Sequence, residues 1–212
     1  MGATALTAQR LRENWEKLKG LVAGNLPSRE AAVFLHLLDT LKEDQPNGQK
    51  HYLGFFRAPA ARRNHHAYEG GLVQHLLEMW SLWDQLKPQL NAPPFISDER
   101  VLKAIILHDL HKAYRTYELM SSDSWEVRHG DDETDMLMGT DVKSLWLAQR
   151  AGITLDPEQI NALLWAEGGF SNIRPRWCSV LAKVCYALDE LSGNGLARNR
   201  KRTFLDHSRI SD

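Results

Sequence analysis

Five residues between positions 64 and 112 carry side chains that commonly bind metal ions. His65, His66 and His75 lie in the segment NHHAYEGGLVQHLLEMW, and the adjacent pair His108-Asp109 lies in VLKAIILHDLHKAY. A histidine–aspartate pair at the end of an apolar helix is poorly explained by packing, because aspartate is rarely buried unless it is paired or binds a metal. The grouping therefore predicts a hydrolytic metal centre.

Three polar residues share a helical register with apolar residues, which places them on buried faces. His75, Asp109 and Asp189 each follow an apolar residue by three or four positions. A lone inward histidine is most often a satisfied core residue, but His75 and His108 together with two inward carboxylates satisfy one another best around a divalent cation. This mixed ligand set suits Mn, Fe, Zn, Co or Mg without choosing among them, and such a cation can lower the pKa of bound water toward neutrality.

Helical periodicity dominates the elements that must position these residues. The fourth predicted helix begins at Ser97-Asp98 and ends at the His108-Asp109 pair, and the third begins near Gly70-Gly71. Polar, turn-rich sequences predict loops over residues 43–64 and 121–135. The other predicted helices are two marked by Leu11 to Val22 and by Ala31 to Leu41, then Thr140 to Ala151, Asp156 to Trp165 and Pro175 to Ser192. With no strand alternation in competition, the pattern predicts an all-α fold.

Composition sets limits on the class of protein. A chain of 212 residues with 43% apolar and 25% charged residues suits one globular domain, residues 1–212. Twenty-six basic against 27 acidic residues give a net charge of −1, so any polyanion site must be local. Cys178 and Cys185 lie about 10.5 Å apart along one predicted helix, too far for a disulfide. Without an apolar signal or spanning segment, the sequence predicts a cytoplasmic protein with no membrane partner.

The order of the candidate ligands resembles a known family. His75, His108-Asp109 and Asp189 follow the pattern H…HD…D of the HD-domain superfamily of metal-dependent phosphohydrolases. Within it, HHAYEGGLVQH and LHDLHK are similar to the HD domain of OB-containing 3′-5′ exoribonucleases. The resemblance covers roughly residues 55–192, and a basic tail follows over residues 193–212. It implies a helical bundle in which these four residues bind one metal that holds the attacking water.

The resemblance also implies roles for residues around the metal. Lys112 matches the lysine of the family's HDxxK motif and would contact phosphate. Histidines that build a second metal site in some relatives are absent from Gly139-Thr140 and from residues 165–168, which favours one metal. Glu167 in the latter stretch remains a candidate ligand, water-orienting group or proton carrier. His111 replaces a usually small residue and is expected to face solvent or substrate.

Several residues are candidates for substrate binding. His65 and His66 could reach a phosphate or nucleobase, with a local role at the start of the helix as the alternative. Arg62 and Arg63 could form a phosphate-binding rim with Lys112, since guanidinium binds phosphate bidentately, although loop arginines are usually only solvated.

Three functions remain open from the sequence. The first is hydrolysis of a nucleotide, with Asp109, Lys112 and Glu167 in catalytic roles. The second is a 3′-5′ exonuclease on short single-stranded nucleic acid, which ranks lower because no strand pattern indicates an OB-type domain and the net charge is near zero. The third is a non-catalytic binding or regulatory module that retains the metal as a structural clamp.

Overall fold

Helices make up most of the part of the chain that the computed structural model describes, residues 6–61, 65–90, 96–121, 124–127, 133–166 and 176–196. The predicted helical fold class is confirmed. The helices of these residues are α1 (Ala8–Asn25), α2 (Ser28–Leu41), α3 (Gly71–Leu86), α4 (Asp98–His108), α5 (Glu133–Arg150), α6 (Pro157–Ala166) and α7 (Val180–Glu190). None of them is long and apolar enough to cross a lipid bilayer.

A small antiparallel sheet lies partly within the two predicted loops, and its strand β3 lies almost entirely before the second one. Its strands are β1 (Gln45–Asn47), β2 (Lys50–Tyr52), β3 (Tyr117–Ser121) and β4 (Ser124–Val127), in that spatial order. Tyr52 pairs with Glu118, so the sheet joins the segment before α3 to the segment after α4. Over these strands the loop prediction is wrong, because three- to five-residue strands carry too few alternating positions to show a period.

Helix α4 runs through the apolar core and ends at the candidate site. Ser97 caps its N-terminus, where the side-chain oxygen accepts a hydrogen bond from the backbone N–H of Arg100 at 3.3 Å. Val101, Leu102, Ile105 and Ile106 are fully buried. Asp109 occupies the C-cap position, and a short 3-10 helix (Leu110–Ala113) follows. The predicted end of this helix at the His108-Asp109 pair is therefore correct.

Helix α7 packs beside α3 and α4 and brings the C-terminal part of the described chain to the same place. Its N-cap is Ser179, whose oxygen accepts a hydrogen bond from Ala182 N at 3.1 Å. Leu181, Cys185 and Leu188 face the core. A π-helical turn (Leu191–Leu196) continues from its end. Helices α3, α4 and α7 thus converge on one buried region.

Helix α5 begins earlier than the predicted helix and is broken next to its predicted start. The backbone of Gly139 has φ 69° and ψ 170°, which interrupts the helix at the residue before the predicted start, Thr140. A positive φ of this kind is accessible to glycine without a steric penalty. The second half of α5 contributes Ser144, which is fully buried against the end of α4.

Candidate metal centre

His75 lies just over one turn into α3 and is fully buried. Its Nδ1 atom lies 3.0 Å from the side-chain oxygen of Ser192, in the turn that follows α7. When Nδ1–H donates to this oxygen, Nε2 keeps its lone pair and faces the interior of the cluster. A single hydrogen bond between α3 and the C-terminal turn therefore orients the ring as a ligand.

His108 is oriented by the last turn of its own helix. Its Nδ1 lies 2.7 Å from the carbonyl oxygen of Ile105, which can only accept a hydrogen bond. Nδ1 is therefore protonated, and in the neutral ring Nε2 carries the lone pair. Ser144 supports this turn from α5, with its hydroxyl 3.5 Å from the carbonyl oxygen of His108.

Asp109 and Asp189 complete a set of four converging side chains. Asp109 Oδ2 lies 3.4 Å from His108 Nε2 and 3.9 Å from His75 Nε2. Asp189 Oδ1 lies 3.0 Å from His75 Nε2 and 4.0 Å from His108 Nε2. Asp109 is almost fully buried, and the side chain of Asp189 is 21% exposed. The partly exposed carboxylate marks the side from which solvent reaches the cluster.

The donor atoms fit a divalent cation. Ligand bonds of about 2.0–2.2 Å place neighbouring donors of one ion about 3–4 Å apart, which matches the four distances above. The ligand atoms of His75, His108 and Asp109 all lie within 4.8 Å of one another. Neither His75 Nε2 nor His108 Nε2 has a hydrogen-bond partner with acceptable geometry, although both atoms are buried. Buried polar atoms normally have partners, so their lone pairs fit a site for a cation.

The electrostatics of the cluster favour the protonation states that metal binding requires. Burial lowers the pKa of His75, which keeps the imidazole neutral. Burial alone would raise the pKa of Asp109, but the neighbouring His108, Lys112 and His75 lower it below its ordinary value. The pKa of Asp189 is also lowered despite its burial, because His75 Nε2 lies 3.0 Å from Asp189 Oδ1 and donates to it whenever this nitrogen carries a proton, as it does when no cation is bound. Both carboxylates are therefore ionised near neutral pH.

Lys112 lies at the edge of the cluster, in the short 3-10 helix after α4. Its Nζ is 2.6 Å from Asp109 Oδ1, the oxygen that does not face the two histidines. Asp109 thus bridges the lysine on one side and the imidazoles on the other. The lysine side chain is 16% exposed, so it retains contact with the solvent side of the site.

His65 and His66 lie directly against His75. The ring centroids of His65 and His75 are 5.0 Å apart, and those of His66 and His75 are 5.3 Å apart. The backbone of His66 packs directly against Gly71, where an added Cβ would lie 1.9 Å from the carbonyl oxygen of His66. This close packing brings the ring of His66 near His75. Burial, with a contribution from His75, lowers the pKa of His65 to about 4. The structure therefore brings both predicted substrate-binding histidines to the centre.

Other predicted site residues are placed differently. Arg62, Arg63 and Glu167 lie outside the described residues. His111 was expected to face solvent or substrate, and the solvent-facing alternative is wrong: the residue is buried, and its backbone N–H donates to Ser144 Oγ at 3.0 Å. The larger side chain is accommodated because α5 offers a small serine at the contact.

A polar network next to the centre was not predicted. His66 Nε2 lies 3.0 Å from Glu78 Oε2, and Glu78 Oε1 accepts a hydrogen bond from Gln74 Nε2 at 2.8 Å. Gln74 Oε1 in turn accepts one from Asn14 Nδ2 at 2.8 Å. The available signal was Asn14, which lies three residues after Leu11 and four before Leu18 and so is a polar residue on an apolar face.

Comparisons with known proteins give a partial match. A segment of 64 residues, 30% of this chain, is 34% identical to the 3′-5′ exoribonuclease YhaM of Shouchella clausii (strain KSM-K16). A segment of the same length is 36% identical to the 3′-5′ exoribonuclease YhaM of Geobacillus sp. (strain WCH70). The match spans 19% of the length of each relative. No protein-family profile and no solved structure matches the chain.

Proposed function

We propose that this chain is an HD-type, metal-dependent phosphohydrolase that acts on a nucleotide. The observation that carries the proposal is the convergence of His75, His108, Asp109 and Asp189, with two buried imidazole nitrogens that have no hydrogen-bond partner. Structural histidines in a core normally have both ring nitrogens satisfied. Four donors at metal-ligand spacing are difficult to explain by packing and simple to explain by a bound cation.

Different residues of this chain have different roles in the proposed hydrolysis of a phosphate ester or anhydride. A bound divalent cation supplies Lewis acidity that lowers the pKa of water and polarises a phosphoryl oxygen. His108 and Asp109 hold ligand atoms in fixed positions at the end of α4, so no reorganisation is needed during the reaction. Lys112 provides a positive charge at the solvent side, where it can contact the phosphate of a substrate. Burial of the cluster strengthens each of these electrostatic contacts.

Two observations bear on the substrate, and they favour different candidates. The near-zero net charge favours a free nucleotide, because tracking along a nucleic-acid strand usually needs a basic groove. The similarity to 3′-5′ exoribonucleases favours the second candidate, removal of nucleotides from the 3′ end of a short single strand. Both reactions use metal-activated water against a phosphorus–oxygen bond, so the same four residues serve either one.

A turnover panel tests the proposal. The full chain, supplied with Mn²⁺, is incubated with nucleoside mono- and triphosphates and with end-labelled RNA and DNA oligonucleotides. We expect release of phosphate or nucleoside from the nucleotides, and loss of this activity in His108→Ala. Stepwise 3′ shortening of the oligonucleotides without nucleotide hydrolysis would select the exonuclease. Absence of turnover on every substrate, with metal bound, would overturn both and leave the non-catalytic module.

A further inference from the structure

Two buried imidazole nitrogens next to the proposed centre are not used by it. His65 Nε2 and His66 Nδ1 are buried and have no hydrogen-bond partner, as is also the case for the Nε2 atoms of His75 and His108. A buried polar atom without a partner is uncommon in folded proteins. The first cation accounts for the nitrogens of His75 and His108, so those of His65 and His66 require a further explanation.

The ligand atoms of these histidines lie close enough to share a metal environment. One ligand atom each from His65, His66 and His75 lies within 4.8 Å of the other two. The ring centroids of His65 and His66 are 5.7 Å apart and their planes are inclined by 78°, so the rings do not stack. His75 belongs to both histidine groups and stands between them.

The tautomer of His66 is set by the network behind it. The Glu78 carboxylate accepts a hydrogen bond from Gln74 and lies 3.0 Å from His66 Nε2. An ionised carboxylate can only accept, so the proton of a neutral His66 is on Nε2 and the lone pair is on Nδ1. Carboxylate–histidine–metal arrangements have this form. A doubly protonated His66 would instead leave Nδ1–H as a buried donor without an acceptor.

The backbone around the two histidines is shaped to hold them in place. His66 has φ 48°, in the left-handed region that is uncommon for residues other than glycine. A Cβ at Gly193, in the turn after α7, would lie 2.6 Å from His65 Nδ1. The ring of His65 thus occupies space that only glycine leaves open. Strained backbone of this kind is retained where the surroundings fix a functional geometry.

We propose that His65 and His66 bind a second divalent cation beside the first. Imidazole ligands suit ions such as Zn²⁺ and Fe²⁺, whereas Ca²⁺ and Mg²⁺ prefer oxygen ligands. His75 Nε2 serves the first ion, so the second ion has two histidine ligands and completes its coordination with water or with a phosphate oxygen of a substrate. It is the more weakly bound of the two. The ligands of this second site, His65 and His66, differ from the positions where some relatives carry second-site histidines, which correspond to Gly139-Thr140 and residues 165–168.

Metal counting tests the site without any need for turnover. The full chain is stripped with a chelator, and its bound ions are counted by elemental analysis after equilibrium dialysis against Zn²⁺ and, separately, Mn²⁺. We expect two ions in the wild type and one in His65→Gln or His66→Gln. The control His36→Ala removes an exposed imidazole on α2 and should keep two. Thermal unfolding followed by circular dichroism checks that each variant is folded.

A substitution behind the ligand provides a second measurement. Glu78→Gln keeps the size of the side chain but removes the charge that supports His66. We expect it to weaken the second ion about 10- to 100-fold and to leave the first unchanged.

The pattern across variants separates this inference from the proposed function. One ion in the wild type that persists in His66→Gln and is lost in His108→Ala would overturn the second site and keep the first. One ion that persists in His108→Ala and is lost in His66→Gln would keep the histidine site and overturn the phosphohydrolase centre.

Discussion

One hydrogen bond decides which atom of His108 is available for chemistry. Because Nδ1–H donates to the carbonyl oxygen of Ile105, the neutral ring presents Nε2 to the cluster. For His75 the equivalent hydrogen bond involves Ser192, the last residue of the helix predicted over Pro175 to Ser192, which lies in the π-helical turn after α7. The two histidines were predictable as inward-facing residues, whereas the contact between His75 and Ser192 was not, because it depends on the π-helical turn that replaces the predicted end of this α-helix.

Substitution of Lys112 tests whether its positive charge acts on the phosphate of the substrate rather than on the bound cation. Its ion pair with Asp109 uses the carboxylate oxygen that faces away from the histidines. We therefore expect Lys112→Ala to retain the bound metal and to lose about 100-fold in kcat/KM, the usual effect of removing one electrostatic contact to a transition state. Lys112→Arg should recover part of the rate. Unchanged turnover in Lys112→Ala would show that the lysine only neutralises Asp109.

Asp189 and Glu190 form a matched pair of adjacent acids. Asp189 reaches His75, while Glu190 is rotated by about 100° on α7 and is exposed. We expect Asp189→Asn to reduce hydrolysis at least about 100-fold with the fold intact, and Glu190→Gln to change it little. Steady-state kinetics and circular dichroism measure both effects. The reverse pattern would mean that the fourth ligand is not on this face of α7.

At the scale of elements, the helices were predictable and the sheet was not. The helices have long apolar periods, as with Leu11, Trp15, Leu18 and Val22 in α1, and some have side-chain caps such as Ser97. Strand β2 pairs with β3 through residues 66 positions apart, Tyr52 and Glu118. Pairing between residues so far apart in sequence depends on how the helices pack, so no local sequence pattern predicts it.

The contact between α4 and α6 gives a prediction about stability. Asp156 Oδ1 accepts hydrogen bonds from Glu158 N at 2.9 Å and Gln159 N at 3.0 Å, and its other oxygen pairs with Arg100. We expect Asp156→Ala to lower the free energy of unfolding by about 1 kcal/mol, chiefly through loss of the helix cap. Glu158→Ala, which removes a partly exposed ion pair with Arg100, should cost less than about 0.5 kcal/mol.

The difference in unfolding free energy between the wild type and Asp156→Ala should depend on pH, because the Asp156 carboxylate titrates. Burial alone would raise the pKa of Asp156, but the hydrogen bonds from Gln159 and Arg100 lower it below 3.8. The stabilisation is therefore complete above the unfolded value and is lost as pH falls through the lower folded value. Urea unfolding at pH 7 and at several values below 3.8 measures it. A constant gap between wild type and Asp156→Ala across this range would refute the assignment.

At the scale of the whole molecule, a continuous apolar core connects the site to both ends of the described chain. The buried cluster runs from Trp15 in α1 to Leu188 in α7 and includes residues of α2, α3 and α4. This continuity supports the prediction of a single domain over residues 1–212, which stays a prediction. The polar network from Asn14 to His66 crosses the same packing, and although Asn14 on an apolar face was a signal for it, its partners depend on how α1 lies against α3.

The most direct test of the account is the metal content of two ligand variants. His108→Ala and Asp109→Ala each remove one of the four donors that converge at the end of α4. Because an under-coordinated ion dissociates, we expect elemental analysis of each folded variant to show about one equivalent of divalent metal less than the wild type. Metal content equal to that of the wild type in both variants would contradict the proposed centre.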